Sequence, residues 1–189
     1  MLVLARMKRA LAVGLVVGWS SVASAGGYVG LGIGTGPGVG TDAADTQVSS
    51  DGRSYRLLGG VRLSRFAIEG AIGQMDTRLA DNTRGQPYET YQASISAKYH
   101  LPLDAGFEAF GKVGLHKVWF DNAANRPDLD VEGSGLLFGG GFQYRLDAVL
   151  ASAALFVEYQ YASADVRGER LDWGSTSVRM WTLGATVGF

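Results

Sequence analysis

The chain has no cysteine and only two histidines among its 189 residues. No disulfide, thiol nucleophile or Cys-ligated zinc can form, so a chain of this size must hold itself together without staples. Long apolar runs are missing too. After Ala25 no uninterrupted apolar stretch approaches the roughly twenty residues that a helix needs to cross a bilayer core of about 30 Å. Positive charge is scarce, with 17 Lys and Arg against 18 Asp and Glu, and that balance gives no electrostatic footprint for nucleic acid.

What is present begins with a tripartite N-terminus. Arg6, Lys8 and Arg9 form a basic start, Ala10 to Trp19 an apolar stretch, and Ala23-Ser24-Ala25 a small-x-small pattern. This arrangement predicts a cleavable signal peptide over residues 1–25, with translation starting at Met1 or Met7, and one folded unit over residues 26–189. The apolar stretch is too short for a membrane anchor. Cleavage removes three basic and no acidic groups, which leaves fourteen basic against 18 acidic.

The rest of the chain alternates with period two in segments of about ten residues, the mark of strands and not of helices. Tyr91, Ala93, Ile95, Ala97, Tyr99 and Leu101 form a wholly apolar face, against Gln92, Ser94, Ser96, Lys98 and His100 on the other. Similar alternation starts at Gly26, Tyr55, Phe66, Phe107, Leu136, Ala154 and Val178, which gives eight strands, the last ending at Phe189. A single-chain outer-membrane barrel needs an even number.

A water-soluble sandwich would alternate in the same way, but two features favour a barrel in lipid. Aromatic residues gather near strand ends on the apolar face, with Tyr55, Tyr91, Trp119, Tyr161 and Trp181 at one level and Phe66, Tyr99, Phe107, Tyr144 and Phe189 at the other. Connections also alternate in length. Short turns near 64–65, 102–106 and 147–151 interleave with polar loops at about 37–52, 76–89, 120–134 and 162–177. The expectation is therefore an all-β, eight-stranded antiparallel up-and-down transmembrane barrel in the cell outer membrane. Glycines on the inward face (Gly30, Gly32, Gly60, Gly114, Gly139) suit a narrow lumen filled by side chains.

The hairpin Ala97-Lys98-Tyr99-His100-Leu101-Pro102-Leu103, a short turn and Phe110-Gly111-Lys112-Val113-Gly114-Leu115 resembles that of OmpA-type barrels. Glu158-Tyr159-Gln160-Tyr161 is similar to the family's seventh strand, and Gly27-Tyr28-Val29-Gly30 to its opening strand. The larger members carry a further peptidoglycan-binding domain, so the resemblance is to barrel-only members, with no cell-wall tethering carried over. It implies outer-membrane lipids and lipopolysaccharide as surroundings, and the outer-membrane insertion machinery as a partner during biogenesis, with Phe189 as the insertion signal. The family's lumen network also implies either a structural plug or a small gated ion path.

Alternation puts Arg56, Arg62, Glu69, Lys98, Lys112 and Glu158 on the inward face. Isolated charges in a narrow lumen would be costly, so these six are expected to pair. Lys98 and Lys112 face each other across one hairpin, with Glu69 on the neighbouring strand and Glu158 across the barrel as their acids.

A lipid A-modifying enzyme needs a His and a Ser together at the lipid-facing rim, whereas His100 and His116 are both expected to point inward, so no enzymatic role is expected. Hairpin register also separates the two histidines by about 20 Å, too far to share a metal. Asp128-Leu129-Asp130-Val131-Glu132-Gly133 matches half of a calcium loop, but Gly139 stands where the bidentate Glu should be, so no metal and no cofactor is expected. Gly30 to Gly40 lacks the spacing of a phosphate loop. Recognition, on this reading, belongs to the four outer loops.

Overall fold

The computed structural model describes residues 26–36, 38–41, 48–49, 52–79, 86–122, 131–147, 151–168 and 172–189. The expected signal peptide, Asp128–Asp130 of the acidic loop and most of the outer-loop tips lie outside the described residues. The strands are β1 (Gly26–Thr35), β2 (Gly38–Thr41), β3 (Val48–Ser49), β4 (Arg53–Leu63), β5 (Phe66–Leu79), β6 (Gln86–Pro102), β7 (Phe107–Asn122), β8 (Val131–Asp147), β9 (Ser152–Gly168) and β10 (Asp172–Gly188).

From β4 to β10 each strand pairs antiparallel with the next, and β1 pairs with both β4 and β10, which closes the sheet. β2 continues β1 along β10 after a one-residue shift, since Gly34 faces Thr182 and Gly38 faces Arg179. At the same place the Thr35 hydroxyl accepts a hydrogen bond from the Trp181 backbone N–H at 3.2 Å. β1 and β2 thus act as one barrel strand and β3 is a short addition to β2, so the barrel has eight strands.

Closure requires stagger. The partner path from Gly27 through Val61, Ile68, Ala97, Val113, Phe138, Tyr161 and Arg179 returns to the first strand at Gly38, eleven residues along, one of them contributed by the shift. A shear of this size tilts the strands, and with only eight of them the wall encloses a lumen narrow enough for side chains to fill.

The short connections are built from residues that suit them. Ser64, with φ 58°, makes the two-residue turn between Leu63 and Phe66, and its carbonyl accepts from Arg62 Nε at 2.8 Å. In the β6–β7 turn the Asp104 carboxylate accepts from the Ala105 N–H at 2.8 Å. Ala105 and Gly106 then take left-handed backbone, and the Gly106 carbonyl accepts from the Arg145 N–H at 2.9 Å.

Several strands run further at their outer ends than alternation suggests. β6 starts at Gln86, β7 reaches Asn122 and β9 reaches Gly168, so parts of the expected loops 76–89, 120–134 and 162–177 are ladder. Backbone pairing continues above the lipid, where nothing forces one face to be apolar.

The outward face is an apolar belt: Leu31, Ile68, Ile95, Leu115, Leu155 and Leu183 are each more than half exposed. In water such a belt would be an aggregation surface; in a bilayer it is the lipid contact. Aromatic pairs border it. Phe66 with Tyr99 (5.0 Å between ring centroids) and Phe107 with Tyr144 (4.8 Å) lie near the short turns, and Tyr159 with Trp181 (5.0 Å) lies towards the other end. Phe189 donates its backbone N–H to the Gly27 carbonyl at 2.9 Å and leaves its ring exposed beside them.

Candidate functional site

The second set of alternating positions points into the barrel, where charged and aromatic side chains fill the space. Leu58, Phe110 and Phe156 form an apolar floor against which Tyr28 and Ala71 pack. Glycines make room for the larger groups. A Cβ on Gly139 would come within 2.9 Å of Lys112 Cε, and one on Gly60 within 2.7 Å of the Tyr28 hydroxyl, so both positions are reserved for a neighbour's side chain.

Five of the six charged residues expected in the lumen meet in one cluster. Lys98 and Lys112 are cross-strand partners, and their Nζ atoms lie 3.4 Å from Glu69 Oε2 and Oε1 respectively. Lys112 Nζ is also 2.7 Å from Glu158 Oε1, which Arg56 Nη1 shares at 2.7 Å. Arg56 Nη1 donates as well to Gln160 Oε1 at 2.9 Å. The Tyr28 hydroxyl donates to Glu69 Oε2 at 3.0 Å, and the Lys98 ammonium sits 3.9 Å from the Phe110 ring centroid. Lys112, Glu69 and Glu158 are each only 1% exposed at the side chain, so these pairs are not screened by bulk solvent.

Arg62 stands apart from this cluster. Its two terminal nitrogens donate to Glu108 in a bidentate pair, 2.9 Å each, and Gln143 Nε2 donates to the same carboxylate at 2.7 Å. His100 Nδ1 lies 3.2 Å from Glu108 Oε2, and Arg145 Nη1 3.8 Å from Oε1. The charged side chains of the lumen thus lie in two tiers, this second one beside the short turns.

Glu108 is the residue that sequence reasoning missed. Its parity with Phe110 and Lys112 marks it as inward, but it lies one residue into its strand, where a charge reads as part of a turn. Tyr28 was legible as an inward residue; its bond to Glu69 follows from a register in which Tyr28 faces Gly60 and Gly60 faces Glu69.

The two histidines face the lumen and are far apart in register: His100 is opposite Phe110, six residues from His116 along β7. His116 is opposite Ser94, but its Nε2 lies 3.2 Å from the Ser163 carbonyl. Glu132 of the acidic loop lies at the start of β8 and pairs with Lys117 at 3.1 Å. No group of three or more potential metal-ligating side chains occurs among the described residues.

Not all polar atoms in the central cluster are matched. Arg56 Nε and Nη2, Glu158 Oε2 and Gln160 Nε2 have no hydrogen-bond partner among the described residues. A cavity of about 10 Å³ adjoins Arg56, lined also by Ser54, Gln92, Ser94, Met75 and Thr182.

Comparison with known proteins agrees with this geometry. The family model for the outer membrane protein beta-barrel domain matches residues 10–189. Among solved structures, Neisserial surface protein A superposes with a TM-score of 0.57 at 16% identity, over 86% of this chain and 95% of that one. Ail, the attachment invasion locus protein of Yersinia pestis, solved in complex with the heparin analogue sucrose octasulfate, gives 0.56 at 16% identity, over 88% and 99%. At such identities the likeness is one of fold. No curated protein matches the sequence.

Proposed function

The chain belongs to the outer membrane protein beta-barrel domain family, and from that premise we propose that it is a non-enzymatic integral barrel of the outer membrane whose sealed lumen is a structural plug and whose outer loops carry recognition. Export by cleavage after Ala25, surroundings of lipopolysaccharide and other outer-membrane lipids, and capture by the insertion machinery through Phe189 are parts of the same reading.

The observation that carries it is the state of the lumen. Lys112, Glu69 and Glu158 are almost fully buried and mutually paired, with Phe110 and Phe156 packed beside them. A barrel filled in this way serves as a rigid scaffold, and a rigid scaffold leaves function to its loops. The exposed apolar belt between two aromatic levels supports the membrane setting.

A second reading, a small gated channel, is favoured by the same cluster, because Glu158 Oε1 is shared between Arg56 and Lys112 and could be released by either. Planar-bilayer recording separates the two. The plug predicts a silent bilayer with the purified protein; sustained single-channel steps would replace it with the channel.

A further inference from the structure

The central cluster does not balance. Arg56, Lys98 and Lys112 bring three positive charges, Glu69 and Glu158 two negative ones, and all five side chains are at least nine-tenths buried. Among the described residues the further buried carboxylate, Glu108, is taken up by Arg62. Burying an uncompensated charge is expensive, and proteins meet that cost with a counter-charge, a bound ion or the loss of a proton.

The surplus has a place to go. Arg56 spends one terminal nitrogen on Glu158 and Gln160, while Nε and Nη2 have no partner among the described residues. The guanidinium adjoins the cavity, whose mostly apolar walls include the polar side chains Ser54, Gln92, Ser94 and Thr182, the Ser54 hydroxyl being already donated to the Thr35 carbonyl. Its volume of about 10 Å³ is close to the least that a single water-sized guest needs, so an ion larger than water requires the flexible Met75 and Met180 to yield.

We propose that this cavity is a small-anion site, in which a halide such as chloride bonds to the free N–H groups of Arg56 and neutralises the surplus charge of the Arg56–Lys98–Lys112–Glu69–Glu158 cluster. The inference is independent of whether the barrel conducts, since it concerns an ion resident in the lumen. A water molecule could satisfy the same N–H groups but not the charge.

Bromide is the probe, because it scatters anomalously and replaces chloride. In crystals of the detergent-folded protein soaked in bromide, the expected result is an anomalous peak within hydrogen-bond distance of Arg56 Nε or Nη2. In micelles, the urea midpoint of the wild type should rise saturably in chloride over gluconate at equal ionic strength. Arg56→Gln should abolish both signals. Lys98→Met, which keeps the arginine but balances the charges, should abolish them as well. A wild-type lumen without the peak, with equal midpoints in the two salts, overturns the proposal and leaves a water in the cavity. Retention of the peak in Lys98→Met overturns it too, since charge would then not be what holds the ion. The wild-type comparison decides by itself if either variant fails to fold.

Discussion

Lys98 and Lys112 face each other across the β6–β7 hairpin, and both reach the single carboxylate of Glu69, at 3.4 Å each. Two cations on neighbouring strands would repel; here one buried acid joins them, and Glu158 draws Lys112 towards Arg56.

Glu69→Gln should therefore be among the most damaging substitutions in the lumen. It leaves Lys98 without its acid, deprives Lys112 of one of two, and weakens the acceptor of the Tyr28 hydroxyl. Breaking a buried pair from one side costs about 3–5 kcal/mol. Reversible urea unfolding in micelles checks this, and a loss below about 1 kcal/mol would mean that the cluster does not hold the lumen together.

The two tiers should behave as separate units. Glu108→Gln disrupts the Arg62 pair and its contacts with Gln143 and His100, none of which bonds directly to Glu69 or Glu158. The double variant with Glu69→Gln is expected to lose the sum of the single losses within about 0.5 kcal/mol. A coupling well above that would show that the lumen acts as one network.

Glycine positions on the two faces should respond differently to alanine. At Gly139 a Cβ would lie 2.9 Å from Lys112 Cε and 3.0 Å from its Cγ, so Gly139→Ala must push the lysine off Glu158 and should cost about 1–3 kcal/mol. At Gly59, on the lipid side, the nearest atom is 3.5 Å away, an ordinary contact, and Gly59→Ala should be tolerated. Equal losses at the two sites would contradict the inward assignment of Gly139.

On the outer surface, Leu183 is 66% exposed and lies between the Trp181 level and Phe189 on one face of β10. A lysine there meets hydrocarbon, at a cost of about 2–4 kcal/mol near the bilayer midplane. Unfolding of Leu183→Lys in lipid vesicles measures it; an unchanged midpoint would take that face out of the membrane.

Much of this was legible in the sequence because one rule governs most of the chain. Within lipid the period-two pattern is enforced on every strand, so the parity of Arg56, Glu69, Lys98, Lys112 and Glu158 gave their common direction, and the hairpin register gave the pairing of the two lysines. The pattern is silent where the enforcing solvent changes. β6 runs on above Tyr91 through the sequence Gln86-Pro87-Tyr88-Glu89-Thr90, which has no apolar alternation, and there backbone pairing has no hydrophobic signature. The partition into two tiers was hidden for another reason: parity places Arg62 in the lumen, but only the barrel's stagger decides that it meets Glu108 and not Glu69. The one-residue shift between β1 and β2 escapes parity too.

A closed barrel seated in the outer membrane is open to one direct check, heat-modifiable gel migration of fractionated cells. The protein should be found in the outer-membrane fraction and should migrate at one apparent mass unheated and at another after boiling, because detergent alone does not open a barrel closed by the β1–β10 pairing. A single band of unchanged mobility, recovered in the soluble fraction, would contradict it.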